Sequence, residues 1–233
     1  MHVRQDGLAA GPTVVLLHGF GSSMRWFGDV ASELAADHRV IRLDLLGHGR
    51  TGGGAQGLDA ESQARAVVDA LATLDITEAC VAGHSFGADV ALAVARLWPG
   101  VTGLVILGQA PDYSYARFPP GAFLPTTAAT LAFLHRLSPW RTALSTMHPG
   151  MYRVVLADRR ARLAARPLDA QLRDLGIPTL AILGGRDRMY PCAPTAARYR
   201  AAGARVAILE DAGHSPHVER PAEVAELIRE LLC

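Results

Sequence analysis

The sequence contains no lysine and no asparagine; all 23 of its basic residues are arginine. Without lysine there is no Schiff-base chemistry and no phosphate-binding lysine of the P-loop kind. Without asparagine there is no N-glycosylation acceptor. Cysteine is sparse. The three thiols, Cys80, Cys192 and Cys233, lie far apart and lack the paired spacing of a metal site. An odd, scattered set reads as free thiols in a reducing compartment, with Cys80 packed in the core. An excess of one charge sign is missing too. The 23 basic and 22 acidic residues leave a formal +1, which offers no footing for nucleic acid or an anionic membrane. No apolar run approaches the roughly eighteen residues of a membrane span. Met1 to Gly11 holds no apolar signal-peptide core, so the expected address is cytoplasmic. The expected partner is a small molecule, with no metal site in the cysteine spacing, and a homodimer is compatible with the chain.

What is present fits one enzyme-sized domain. The 233 residues are 50% hydrophobic, enough to bury a large core. Short runs rich in Val, Ile and Leu alternate with longer stretches of helical period. Strands are expected at Thr13–Leu17, Arg39–Leu43, Ala79–Ala82, Gly103–Leu107, Thr179–Leu183 and Arg205–Leu209, with one antiparallel strand within Met1–Gln5. Apolar runs of this length read as strands buried on both faces. Helices are expected at about Met24–Ala36, Ala60–Leu74, Phe86–Leu97, Thr195–Ala201 and Pro221–Leu232. The alternation implies a parallel sheet covered on both faces.

One segment breaks this rhythm. No strand pattern occurs from about Gly108 to Asp174, which holds seven of the 14 prolines. Tyr113, Tyr115, Phe118, Phe123, Phe133, Trp140 and Tyr152 concentrate there. An insertion this long in a compact domain is usually functional. Residues 1–107 and 175–233 are expected to form the core, and 108–174 a helical lid.

The strongest chemical signal is Gly83-His84-Ser85-Phe86-Gly87, between an apolar strand and a helical pattern. In that context G-x-S-x-G is a nucleophile elbow. A serine on a sharp strand-to-helix turn is held above the sheet, and the helix aims N–H groups and dipole at developing negative charge. A serine hydroxyl needs a base, and the base needs an orienting acid. His214, on the loop after Arg205–Leu209, is the expected base, and His217 its structural neighbour. Asp187, in Gly184-Gly185-Arg186-Asp187 after Thr179–Leu183, is the expected acid, with Asp112 as the fallback. The chain order serine, acid, histidine fits this arrangement. His18-Gly19-Phe20-Gly21 follows the first parallel strand. Its Phe20 N–H, with that of Phe86, is the expected oxyanion hole, and His18 is expected to stabilise the turn. Asp44 and His48 are expected to shape a neighbouring loop without a chemical role. Trp26, Tyr113, Phe118, Phe123, Phe133, Trp140 and Met189 are the candidate substrate-binding residues. Met24, Arg25 and Phe27 are expected beside Trp26 at the cavity rim, with core packing as the alternative for Trp26 and Phe27.

At Leu16-Leu17-His18-Gly19, Asp44–Gly49, the elbow at Ser85, Gly184–Asp187 and Ala212-Gly213-His214, the chain resembles the α/β-hydrolase superfamily. The resemblance implies a mostly parallel sheet, a lid inserted after the strand ending near Leu107, and no cofactor. Only about ten residues precede the Thr13–Leu17 strand, so about seven strands are expected rather than the family's eight. Serine at the elbow argues against dehalogenase or epoxide-hydrolase chemistry, which would use aspartate. The implied activity is hydrolysis of a carboxylic ester or thioester through an acyl-enzyme, and the aromatic residues of the 108–174 segment point to an apolar acyl or aryl group. The alternatives are a C–C bond hydrolase or a cofactor-free perhydrolase. From another class come a non-hydrolytic biosynthetic cyclase and a small-molecule binding protein.

Overall fold

A computed structural model describes residues 1–53, 56–117 and 147–232. Its centre is a seven-stranded sheet of order β1-β3-β2-β4-β5-β6-β7. The strands are β1 His2–Gly7, β2 Thr13–Leu17, β3 Arg39–Asp44, β4 Ala79–His84, β5 Val101–Leu107, β6 Thr179–Gly184 and β7 Arg205–Leu209. Only the β1–β3 pairing is antiparallel. The sheet is therefore mostly parallel and flanked by helices, as the apolar runs and the resemblance imply. β1 runs further than Met1–Gln5, and β5 starts two residues before Gly103. β1 is a half-exposed edge, which is why its sequence is polar and its limits are hard to read.

Alternate residues of each central strand feed opposite faces. Val15, Leu17, Val81, Leu104 and Ile106 pack on one side of the sheet, under α2 (Ala60–Ala72) and α3 (Phe86–Leu97). Val14, Leu16, Cys80, Ala82, Val105 and Leu107 pack on the other, under α1 (Gly28–Leu34) and the C-terminal helix. Full burial of each such aliphatic chain stabilises by about 1.5–3 kcal/mol. Cys80 sits among them, and burial pushes its thiol up to about 12, so it packs as a small hydrophobe.

The expected helix over Met24–Ala36 is broken. Met24–Phe27 is a 3₁₀ turn and α1 follows it. Asp44 explains the turn: its Oδ1 accepts the Met24 N–H at 2.9 Å and its Oδ2 the Arg50 N–H at 2.9 Å. Asp44 thus ties two loops at the carboxyl edge of the sheet. The α2 helix is capped by Asp59, whose carboxylate accepts the Ser62 N–H at 2.9 Å.

Between β5 and β6 the described residues hold helices and no strand. These are α4 Gly150–Tyr152, a π-helical stretch Arg153–Asp158, α5 Arg159–Ala165 and α6 Leu168–Arg173. The remaining helices are α7 Cys192–Ala201, α8 Pro216–Glu219 and α9 Pro221–Leu232. Among the described residues no helix is long and apolar enough to cross a membrane.

Candidate active site

Ser85 sits between β4 and α3 with φ +50° and ψ −118°, a left-handed backbone that is costly for a residue with a Cβ. Close packing sustains it. A Cβ on Gly83 would lie 2.1 Å from the Gly87 carbonyl oxygen, and one on Gly87 would lie 2.2 Å from that of Leu17. Only glycine lets strand, helix and the β2 end approach this closely. The Ser85 N–H donates to the Leu107 carbonyl at 2.9 Å, which pins the turn to β5.

The loops after β6 and β7 are stitched together. The Gly185 N–H donates to the Leu209 carbonyl and that of Arg186 to the Ala212 carbonyl, each at 2.9 Å. This brings Asp187 to His214. The His214 Nδ1–H donates to Asp187 Oδ2 at 2.9 Å, and the carboxylate is almost fully buried. Asp187 Oδ1 accepts from the N–H groups of Met189 at 2.7 Å and Tyr190 at 3.1 Å. A carboxylate held this way orients the imidazole and leaves Nε2 as its basic nitrogen. Glu219 braces the same loop by accepting the N–H groups of Gly213 at 2.9 Å and Ser215 at 3.3 Å.

Ser85 and His214 both line a cavity of about 1010 Å³, together with Phe20, Trp26, Tyr113 and Met189. The Ser85 hydroxyl and the His214 ring share no hydrogen bond in this structure, although both face the same cavity. The Phe20 and Phe86 N–H groups make no hydrogen bond to any described residue, so both donors are available. Of the other candidates, Arg25 lines the cavity, whereas Met24 and Phe27 are buried in the core. Phe118, Phe123, Phe133 and Trp140 lie outside the described residues.

Asp112 is not available as an acid for His214. Its carboxylate takes the Arg198 guanidinium at 2.7 Å and the Ser114 N–H at 2.7 Å. His18 is fully buried; its Nδ1–H donates to the Gly19 carbonyl at 2.9 Å while Nε2 accepts the Leu45 N–H at 3.0 Å. Burial lowers its pKa to about 4, so it is a neutral brace for the Gly19–Phe20 turn. His217 is fully buried, with its ring 4.3 Å from that of His84 and 4.4 Å from that of Phe27.

The model of the alpha/beta hydrolase family matches residues 14–227. The chain belongs to this family. Among the relatives of this chain is the dihydrolipoyllysine-residue acetyltransferase component of the acetoin cleaving system of Pseudomonas putida. It is 31% identical over 94% of this chain, which spans only 62% of that relative's length. The pimeloyl-[acyl-carrier protein] methyl ester esterase of Methylococcus capsulatus is 31% identical over 96% of this chain and 95% of its own. A crystal structure of an esterase from Rhodococcus superposes with TM-score 0.72 at 26% identity, covering 99% of this chain and 93% of that one.

The candidate site also contains residues that sequence patterns do not reveal. His84, Val155, Leu156, Arg159 and Tyr190 line the cavity beside Ser85. The Arg159 guanidinium grips Asp89 of α3 with Nε and Nη2, each at 2.9 Å. The two residues are 70 positions apart, and no local motif joins them. The sequence hint is an aspartate placed one turn into a helix whose next eight residues, apart from Arg96, are apolar.

Proposed function

We propose that the protein is a serine hydrolase that cleaves a carboxylic ester or thioester with an apolar acyl or aryl group. The observation that carries this reading is the 2.9 Å His214–Asp187 hydrogen bond opening on the same cavity as Ser85. In this mechanism Ser85 Oγ attacks the carbonyl carbon while His214 Nε2 takes its proton. The negative oxygen is held by the N–H groups of Phe20 and Phe86, the latter at the start of α3. Each such donor is worth about 10²–10³ in rate. His214 then protonates the departing alcohol or thiol. Water, deprotonated by the same ring, releases the acid and restores Ser85. Asp187 fixes the tautomer and stabilises the imidazolium.

The esterase relatives support ester cleavage, and the methyl ester in the name of one supports carboxylic esters ahead of thioesters. Residues 108–174 act as the lid in this reading, since Tyr113, Val155, Leu156 and Arg159 wall the cavity from that side. The test is a fluorophosphonate label followed by peptide mapping, with a panel of p-nitrophenyl esters and acyl-thioesters. Labelling at Ser85 with turnover of at least one series is expected. Neither label nor turnover would overturn the proposal in favour of a binding protein or cyclase. Turnover of vinylogous diketones alone, or peroxide-dependent halogenation alone, would move it to a C–C hydrolase or a perhydrolase.

A further inference from the structure

Arg159 is a buried cation on the wall of the Ser85 cavity, and its side chain is not fully used. A guanidinium has five N–H donors. Three are engaged: Nε and Nη2 on Asp89 at 2.9 Å each, and Nη1 on the Tyr113 hydroxyl. Among the described residues the other two N–H groups have no acceptor. The Tyr113 hydroxyl cannot stand in for them as a donor, because its own hydrogen goes to the Val155 carbonyl at 2.9 Å. Val155 belongs to the π-helical stretch, a distortion often found at functional sites. Arg159 is 3% exposed, so solvent does little to satisfy these donors.

The surrounding charge says what kind of group would fit. Asp89 also takes Arg162 at 3.1 Å, and Arg162 takes Glu61 at 2.8 Å. The four charges of Asp89, Glu61, Arg159 and Arg162 cancel. An incoming carboxylate would have to lose its water beside the Asp89 carboxylate with no net positive charge to repay it. A neutral acceptor oxygen meets neither cost. We propose that Arg159, held by Asp89 and Tyr113, is a specificity subsite for a substrate carrying a neutral hydrogen-bond-acceptor oxygen, a ketone, ester or ether, away from the scissile carbonyl. This rests on the reading of Ser85 as the nucleophile.

The test compares matched esters in which one methylene of the acyl chain, or of the alcohol, is replaced by a keto group at successive positions. At one position kcat/KM is expected to rise about tenfold over the plain alkyl ester, the scale of a hydrogen bond to a charged donor. The matching ω-carboxylate is expected to be no better than the alkyl ester. In the double variant Asp89→Leu/Arg159→Met, which removes both charges together and leaves neither unpaired, the keto-to-alkyl ratio should fall to about one. Tyr113→Phe, which releases a further guanidinium donor, should keep the ratio.

No keto preference at any position in either series would overturn the subsite, as would a stronger preference for the carboxylate. A ratio unchanged in a folded double variant would do the same. Calorimetric binding of the same keto and alkyl esters to Ser85→Ala separates the two claims. Keto-selective binding there supports the subsite even if the wild-type protein turns nothing over, and non-selective binding rejects it even if Ser85 is active.

Discussion

His84 donates its Nε2 hydrogen to the carbonyl oxygen of His214 across 3.0 Å. The residue before Ser85 therefore holds the backbone of the residue expected to serve it as base, although 130 positions separate them in the chain. Burial, followed by the neighbouring His217 and His214, pushes the His84 pKa well down, so the ring is neutral and keeps one hydrogen for this bond. His84→Leu should lower kcat about tenfold with little change in KM, the scale of one lost hydrogen bond at a positioned group. His84→Gln, which retains a side-chain N–H, should recover part of the loss. Steady-state kinetics of the two variants check this, and equal kcat in all three proteins would show that the tether is idle.

Ser85→Ala should reduce ester turnover by at least about 10⁴-fold and leave the melting profile intact, since the change removes one oxygen from a preserved turn. Circular dichroism and product analysis read both halves. Wild-type turnover in this variant would place the nucleophile elsewhere.

Asp187→Asn should cost about 10⁴ in kcat by favouring the wrong imidazole tautomer. Asp112→Asn should leave kcat within a few-fold, because Asp112 faces Arg198 and Ser114 rather than His214. A reversed order of effects would exchange the two roles.

Buried neutral histidines should make the fold acid-sensitive. Burial lowers His217 to about 3, assisted by the charge of His214, and lowers His18 to about 4. Both values lie below the unfolded value of about 6.5, so the unfolded chain binds more protons in between. The stabilisation is complete above about pH 6.5 and is lost as pH falls toward 4 and then 3. His217→Leu should reduce the slope of stability against pH by at most about 1.4 kcal/mol per pH unit between pH 6 and 4. Neither ring nitrogen of His217 has a hydrogen-bond partner among the described residues, so the change sacrifices none. Urea unfolding at neutral and mildly acidic pH is the measurement, and an unchanged slope would contradict it.

Gly87→Ala would put a methyl group 2.2 Å from the Leu17 carbonyl oxygen and 2.6 Å from that of His18. Both obstacles are backbone, so the elbow must move. A loss of about 3 kcal/mol or more in unfolding free energy is expected, together with loss of fluorophosphonate labelling. A stable, labelled variant would mean that the β4–α3 crossing has slack that the close contacts deny.

The fold was legible because the central strands are buried on both faces. Each reads as a short Val, Ile and Leu run, and that signal does not depend on its neighbours. The polar edge strand β1 was only partly legible, as was the start of α1, where the Asp44 carboxylate imposes a 3₁₀ turn from another part of the chain. The elbow around Ser85 was legible because its signal is local: two glycines and one serine fall at fixed places within five consecutive positions.

By itself, then, the sequence determined the parallel sheet, the elbow and the chain order of Ser85, Asp187 and His214, all of which follow from local pattern and strand order. Tertiary structure decided which carboxylate meets His214, because Asp112 and Asp187 both follow sheet strands and only their partners differ. It alone decided that His84 tethers the His214 loop and that Asp89 and Arg159 close a neutral pair on the cavity wall. Hydrogen bonds and ion pairs between distant residues leave no periodicity in the chain; they exist only once the sheet has brought its loops to one edge.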